Sequence, residues 1–96
     1  MPLFLPVTTF KRGQRLEVWG CVRPARYVPA GQRSPVEIQF APGGATFHTV
    51  ATVPLTDPHG YFDVLQAFPG SGSVRLNWSY PDRSVIVSRT VRISVR

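Results

Sequence analysis

The sequence predicts an all-β domain, a sandwich of about seven antiparallel strands. Three observations carry this reading. Apolar and polar residues alternate over short runs, the two-residue period of a strand with one buried face. Ten Pro and eight Gly stand between those runs rather than in tracts of their own, so they punctuate strands. No stretch repeats apolar residues at the 3.6-residue spacing of an amphipathic helix.

The grammar is clearest around the stretch Thr56 to Phe62. Asp57 and Pro58 set up a turn, because an Asp side chain bonds the backbone two residues on and Pro holds φ near −65°. Gly60 supplies a position that takes φ > 0 without steric cost. Phe62 then opens the next strand.

Taken in order, Leu3–Phe10 is a candidate edge strand, interrupted at Pro6, which cannot donate to a ladder. Lys11–Gln14 is a turn. Arg15–Arg23 alternates: Leu16, Val18, Gly20 and Val22 face one way, and Glu17, Trp19, Cys21 and Arg23 the other. Pro24–Pro35 is a loop. Pro35–Ala41 is a strand with Val36, Ile38 and Phe40 inward. Thr46–Leu55 is β-rich, but Phe47 and Val53 share a parity that Val50 breaks, which predicts a bulge near Thr49. Tyr61–Phe68 follows the turn. Ser73–Tyr80 alternates strictly, with Val74, Leu76, Trp78 and Tyr80 inward. Val85–Val95 is the last strand, with Arg89 on the parity of Val85, Val87, Val91, Ile93 and Val95; either Arg89 points inward with a partner or a bulge at Ser88–Arg89 throws it outward, and the bulge is the favoured reading.

The expected core is Leu16, Val18, Val22, Val36, Ile38, Phe40, Phe47, Val53, Phe62, Val64, Val74, Leu76, Trp78, Val91 and Ile93, with Trp78 and Phe40 central. Residues 1–14 read as an N-terminal segment and 15–96 as the sandwich proper.

Composition narrows the function classes. Ninety-six residues make one domain. No apolar run approaches the ~20 residues of a membrane-spanning helix, so membrane insertion is not expected. The net charge is +6, and ten of the eleven basic residues are Arg. The Arg excess has two readings, forks for anionic ligands or the residue usage of a GC-rich genome. The arginines are scattered, not clustered as in a nucleic-acid tail or groove, so no nucleic-acid partner is expected. Cys21 is the only cysteine, which excludes an internal disulfide. Met1–Val7 is apolar, but it has no basic lead and is broken by Pro2 and Pro6, so it does not read as a signal peptide. The abrupt start and the strand-like end at Arg96 are expected of a domain cut from a longer protein.

Several stretches together resemble bacterial immunoglobulin-like/fibronectin-III-like repeat domains of secreted and cell-surface proteins, especially those of actinobacteria. These are Gly20–Ala25, Gly31–Gln32 before Val36–Gln39, Phe47–Val53, Thr56–Asp57 with Gly60–Phe62, Gly72–Leu76 and Ser88–Val91. The resemblance runs from about Arg15 to Val95. It implies an immunoglobulin-like β-sandwich outside the cell or on its surface, serving as a spacer, adhesion module or accessory to an enzyme. Its motifs are turn glycines and core aromatics, so it implies no catalytic set. Trp19 and Cys21 depart from the small or polar residues usual at that outer face.

No motif in the chain carries catalysis. Ser88, a histidine and an aspartate lack the nucleophile-elbow pattern, and a lone Cys21 lacks a neighbouring base. His48, His59 and Asp57 lack metal-ligand spacing. Asp57 and Asp63 fall short of the six to eight oxygens Ca²⁺ takes. The chain is expected to be a non-enzyme without cofactor or metal.

The candidate binding residues are Trp19, Tyr27 and Tyr61. Flat aromatics at exposed positions stack on sugar rings; they also pack against a loop or a neighbouring domain. The expected partner is a neighbouring domain or another protein, with polysaccharide as the alternative. Pleat alternation also predicts that Cys21, beside Trp19, is a partly accessible thiol.

Overall fold

A computed structural model describes residues 1–24 and 27–96. Ala25 and Arg26, inside the predicted loop Pro24–Pro35, lie outside the described residues. Among the described residues the chain forms nine strands and one 3-10 turn, Ala30–Gln32. The strands are β1 (Leu3–Phe4), β2 (Thr9–Phe10), β3 (Arg15–Cys21), β4 (Val36–Pro42), β5 (His48–Val53), β6 (Tyr61–Ala67), β7 (Gly72–Ser79), β8 (Val85–Val87) and β9 (Val91–Val95). Among the described residues no helix is long and apolar enough to cross a membrane.

The strands make two sheets, a sandwich-like arrangement. One has the order β1–β3–β6; the other has β2–β9–β7–β4–β5, with β8 also on β7. The all-β expectation holds, and nine strand segments replace the expected seven because two runs are broken. The first break is at Pro6. Leu3 pairs with Gly20 in one sheet, and Thr9 and Phe10 pair in parallel with Ser94 and Val95 in the other. The segment thus lends Leu3, Leu5 and Phe10 to the core while crossing from sheet to sheet. The second break is at Ser88–Thr90. From Asn77↔Val87 to Val74↔Val91 the β7 partner advances three residues while its neighbour advances four. The extra residue makes the predicted bulge, and Arg89 is exposed. Ser88 is buried at its base. Its Oγ accepts the Leu76 N–H at 2.7 Å and donates to the Arg89 carbonyl at 2.8 Å, so the hydroxyl is committed to backbone.

The β5 register shifts between Ile38↔Ala51 and Gln39↔Thr49, which leaves Val50 as the unpaired residue next to the predicted Thr49. Most of the expected core is buried, with Trp78 fully so. Its indole Nε1–H donates to the Ser34 carbonyl at 2.8 Å, which satisfies the one polar atom the ring takes inside. Phe47 and Val64 are corrections, since both are only half-buried. Phe47 lies on the outer face, with the Arg75 guanidinium 4.0 Å from its ring centroid. The displaced parity at the Val50 bulge accounts for this.

Candidate interaction face

The outer face of the β1–β3–β6 sheet follows from one strand's alternation. Leu16, Val18 and Gly20 point into the core, so Glu17, Trp19 and Cys21 point out. Gly20 is needed at that inward position, because a Cβ there would press into the Leu76 and Phe62 side chains. Antiparallel register then sets Leu65 opposite Glu17, Asp63 opposite Trp19 and Tyr61 opposite Cys21. On the other flank Phe4 stands opposite Trp19.

This register brings two of the three predicted binding residues together. The Trp19 and Tyr61 ring centroids are 5.6 Å apart, tilted by 35°. Trp19 is half-buried, while Phe4, Tyr61 and Leu65 are 53%, 39% and 64% exposed. Tyr27 is 84% exposed and is not in this group. It lines a separate shallow depression of about 150 Å³ with Val28, Pro29, Gln32, Pro81 and Asp82.

Arg23 closes one end of the face. Its Nη2 donates to the Tyr61 hydroxyl at 2.7 Å, its Nε donates to Cys21 Sγ at 3.4 Å, and its guanidinium carbon is 5.6 Å from the Tyr61 centroid. The expected accessibility of Cys21 is corrected: the thiol is buried. It belongs to the outer face by alternation, but the chain roofs it. Its Sγ lies 3.5 Å from the His59 carbonyl, which accepts from it, and Arg23 covers the other side.

The roof is held by the Asp57–Gly60 turn. Asp57 Oδ2 accepts the His59 N–H at 2.9 Å and the Tyr61 N–H at 3.2 Å. The Gly60 N–H bonds the Asp57 carbonyl at 3.0 Å, and the Gly60 carbonyl accepts from Val22 N–H at 2.9 Å.

Two acids complete the face. A hydrogen bond with Asp63, then its like charge, then burial hold the Glu17 carboxyl above its ordinary value. Folded Glu17 therefore binds a proton up to a higher pH than it does unfolded, so its effect on stability is best at low pH and declines as pH rises through the raised value. Replacing Glu17 with Gln keeps a hydrogen-bonding group without the charge. The variant should melt above the parent chain at pH 7, and the difference should shrink as pH falls to about 4 and the Glu17 carboxyl takes up its proton. Thermal unfolding at the two pH values checks this; a variant that melts lower at pH 7 would contradict the repulsion.

The opposite sheet presents a different outer surface. Glu37 Oε1 accepts from Gln39, Thr49 and Asn77 at 3.0–3.3 Å, and Gln39 Oε1 accepts from Arg75 Nε at 2.8 Å. These polar groups bond one another. Of the histidines, His48 lies on β5 with its ring edge toward Phe40 and His59 is exposed in the turn. Among the described residues no three His, Cys, Asp or Glu side chains group as metal ligands.

Sequence reasoning placed Glu17 and Arg23 on this face by alternation without naming them as binding residues, and did not name Phe4, Leu65 or Asp63 as members of it. Leu65 carried a signal, since it shares the parity of Tyr61 and Asp63 and so stands opposite to Phe62. Phe4 carried none, because only pairing with β3 brings it to Trp19. No protein-family model matches this chain, and a search of curated proteins finds no sequence similar to it.

Proposed function

We propose that this chain is a non-catalytic interaction module, an immunoglobulin-like β-sandwich serving as an accessory domain of a larger secreted bacterial protein. It docks a neighbouring domain or partner protein through the outer face of β1–β3–β6. One observation carries the reading: Phe4, Tyr61 and Leu65 are exposed on the same outer sheet face as the half-buried Trp19 indole, with Phe4 opposite it and the Tyr61 ring against it. Large apolar side chains gathered on one face mark interaction sites, and scattered ones do not. The strand orders β1–β3–β6 and β2–β9–β7–β4–β5 support the immunoglobulin-like assignment.

Polysaccharide is the second reading, favoured by the Trp19–Tyr61 ring pair with Arg23 beside it. The 35° tilt weighs against it, since one flat sugar ring cannot lie on both faces at once. Exposed Phe4 and Leu65 extend the apolar surface in a way a protein covers better.

Acrylamide quenching separates the readings, because Trp78 is buried and quenching reports Trp19. In the intact parent protein or with its partner, Trp19 should be protected relative to the isolated chain. Trp19→Ala should weaken the association by about 2 kcal/mol or more, the loss expected of a central aromatic anchor. Retention on a polysaccharide that Trp19→Ala abolishes would favour the second reading. Unchanged quenching, or a free-standing cytosolic reading frame of this length, would remove the first.

A further inference from the structure

We propose that the face takes up one arginine or lysine side chain of the docking protein, seated in the depression between β1 and β3. This rests on the reading of that face as a docking surface and names the chemistry it selects.

The depression has a volume of about 370 Å³ and is lined by Phe4, Pro6, Glu17 and Trp19. That is at the small end of the range for ligand sites and suits one long side chain. Its walls are two aromatic rings and a proline, and among the described residues its only charged lining group is the Glu17 carboxyl. Asp63, opposite Trp19 and near enough to Glu17 to hold its carboxyl above the ordinary value, sets a second carboxyl at the rim. Aromatic faces attract cations, and an apolar wall accommodates the methylene stem of Arg or Lys while the charged head reaches the rim.

Charge complementarity is local. The chain is +6 overall, yet two of its five acids meet here. The groups acting on Glu17 are the Asp63 carboxyl and burial, with no guanidinium or ammonium among them. On the same face of β3, Arg15 is exposed at the strand start opposite Ala67, and Arg23 is held by Tyr61 and Cys21. A docked cation relieves the repulsion between the two carboxyls. At physiological salt, exposed charges more than about 8 Å away are largely screened, so the nearby carboxyls decide the contact. The remaining arginines favour a partner surface that is acidic around its one basic residue.

The probes are two short peptides, acetyl-Gly-Arg-Gly-amide and its citrulline counterpart, which keeps the shape without the charge. Titration is followed through the Trp19 indole N–H and the Phe4, Glu17 and Asp63 amides by two-dimensional NMR. The arginine peptide should shift these signals saturably, and the citrulline peptide should bind about ten-fold more weakly or worse. Glu17→Gln combined with Asp63→Asn should reduce that preference, leaving only the part due to the Phe4 and Trp19 rings, while the buried Trp78 indole signal stays in place, which shows the fold is intact. Equal titration by both peptides, or a preference undiminished by the double substitution, overturns the cation inference. If neither peptide binds but Trp19 is still protected in the intact protein, the cation inference falls alone. If Trp19 is also unprotected, the docking face falls with it.

Discussion

Replacing Trp78 with Ala should cost about 3–5 kcal/mol of stability, the range for a large aromatic removed from a packed core. A domain of this kind has roughly 5–15 kcal/mol in total, so the loss takes about a fifth of it or more. The melting temperature should fall by roughly 12 °C or more, since each kcal/mol moves a domain of this size by about 4–8 °C. Two features set the size. The ring is fully buried, beside Tyr80 with ring centroids 5.0 Å apart, and its indole N–H satisfies the Ser34 carbonyl at 2.8 Å. Trp78→Phe keeps most of the volume but leaves that carbonyl without its donor, and should cost about 1–3 kcal/mol. Trp19→Ala in the isolated chain should be far milder, because the indole is half-buried on an outer face. Urea unfolding of the three variants checks the order. If Trp19→Ala were as damaging as Trp78→Ala, the outer face would be part of the core and the docking reading would lose its basis.

Gly60→Ala should cost about 2–5 kcal/mol and also open the end of the face. Gly60 sits at φ +80°, where a Cβ is disfavoured by about 1–2 kcal/mol. A Cβ there would also run into the Val22 carbonyl oxygen, which is backbone and yields only if the strand end shifts, adding about 1–3 kcal/mol. The turn roofs Cys21 through the His59 carbonyl. Thiol labelling should therefore find Cys21 unreactive in the native parent chain and reactive in Gly60→Ala under conditions where the variant remains folded. Gly60→Asn separates the two causes, since Asn tolerates φ > 0 but still carries the Cβ. Asn should be nearly as damaging as Ala. If Asn restores parental stability, the strain is conformational and the collision with Val22 is not the cause.

The same two sites show what was legible in the sequence. Ser73–Tyr80 alternates without a fault, and every inward residue read from it is buried. At Ser88–Arg89 the legible signal was the charge: Arg89 falls on the parity of Val85, Val87, Val91, Ile93 and Val95, so an extra residue was needed to keep it outside, and in the structure that residue leaves Val85 and Val87 exposed and Val91 and Ile93 buried. Phe47 was misassigned because the bulge at Val50 lies between it and Val53, and parity alone does not say which side of a bulge keeps the core face. Cys21 was misread differently. Alternation put it correctly on the outer face, but burial depended on a turn nearly forty positions later folding back over it.

The sequence by itself determined that this chain is built of short strands, where most of their turns lie and which side of most strands is apolar. These follow from a two-residue period and from the backbone limits of Pro and Gly, both of which act locally. Only the tertiary structure decided that Phe4 stands beside Trp19, that Tyr61 tilts against it, that Tyr27 does not, and that Asp63 comes near enough to Glu17 to hold its carboxyl above the ordinary value. Strand register is set by pairing between segments far apart in sequence, and a shift of one residue would have sent each of those side chains to the other face.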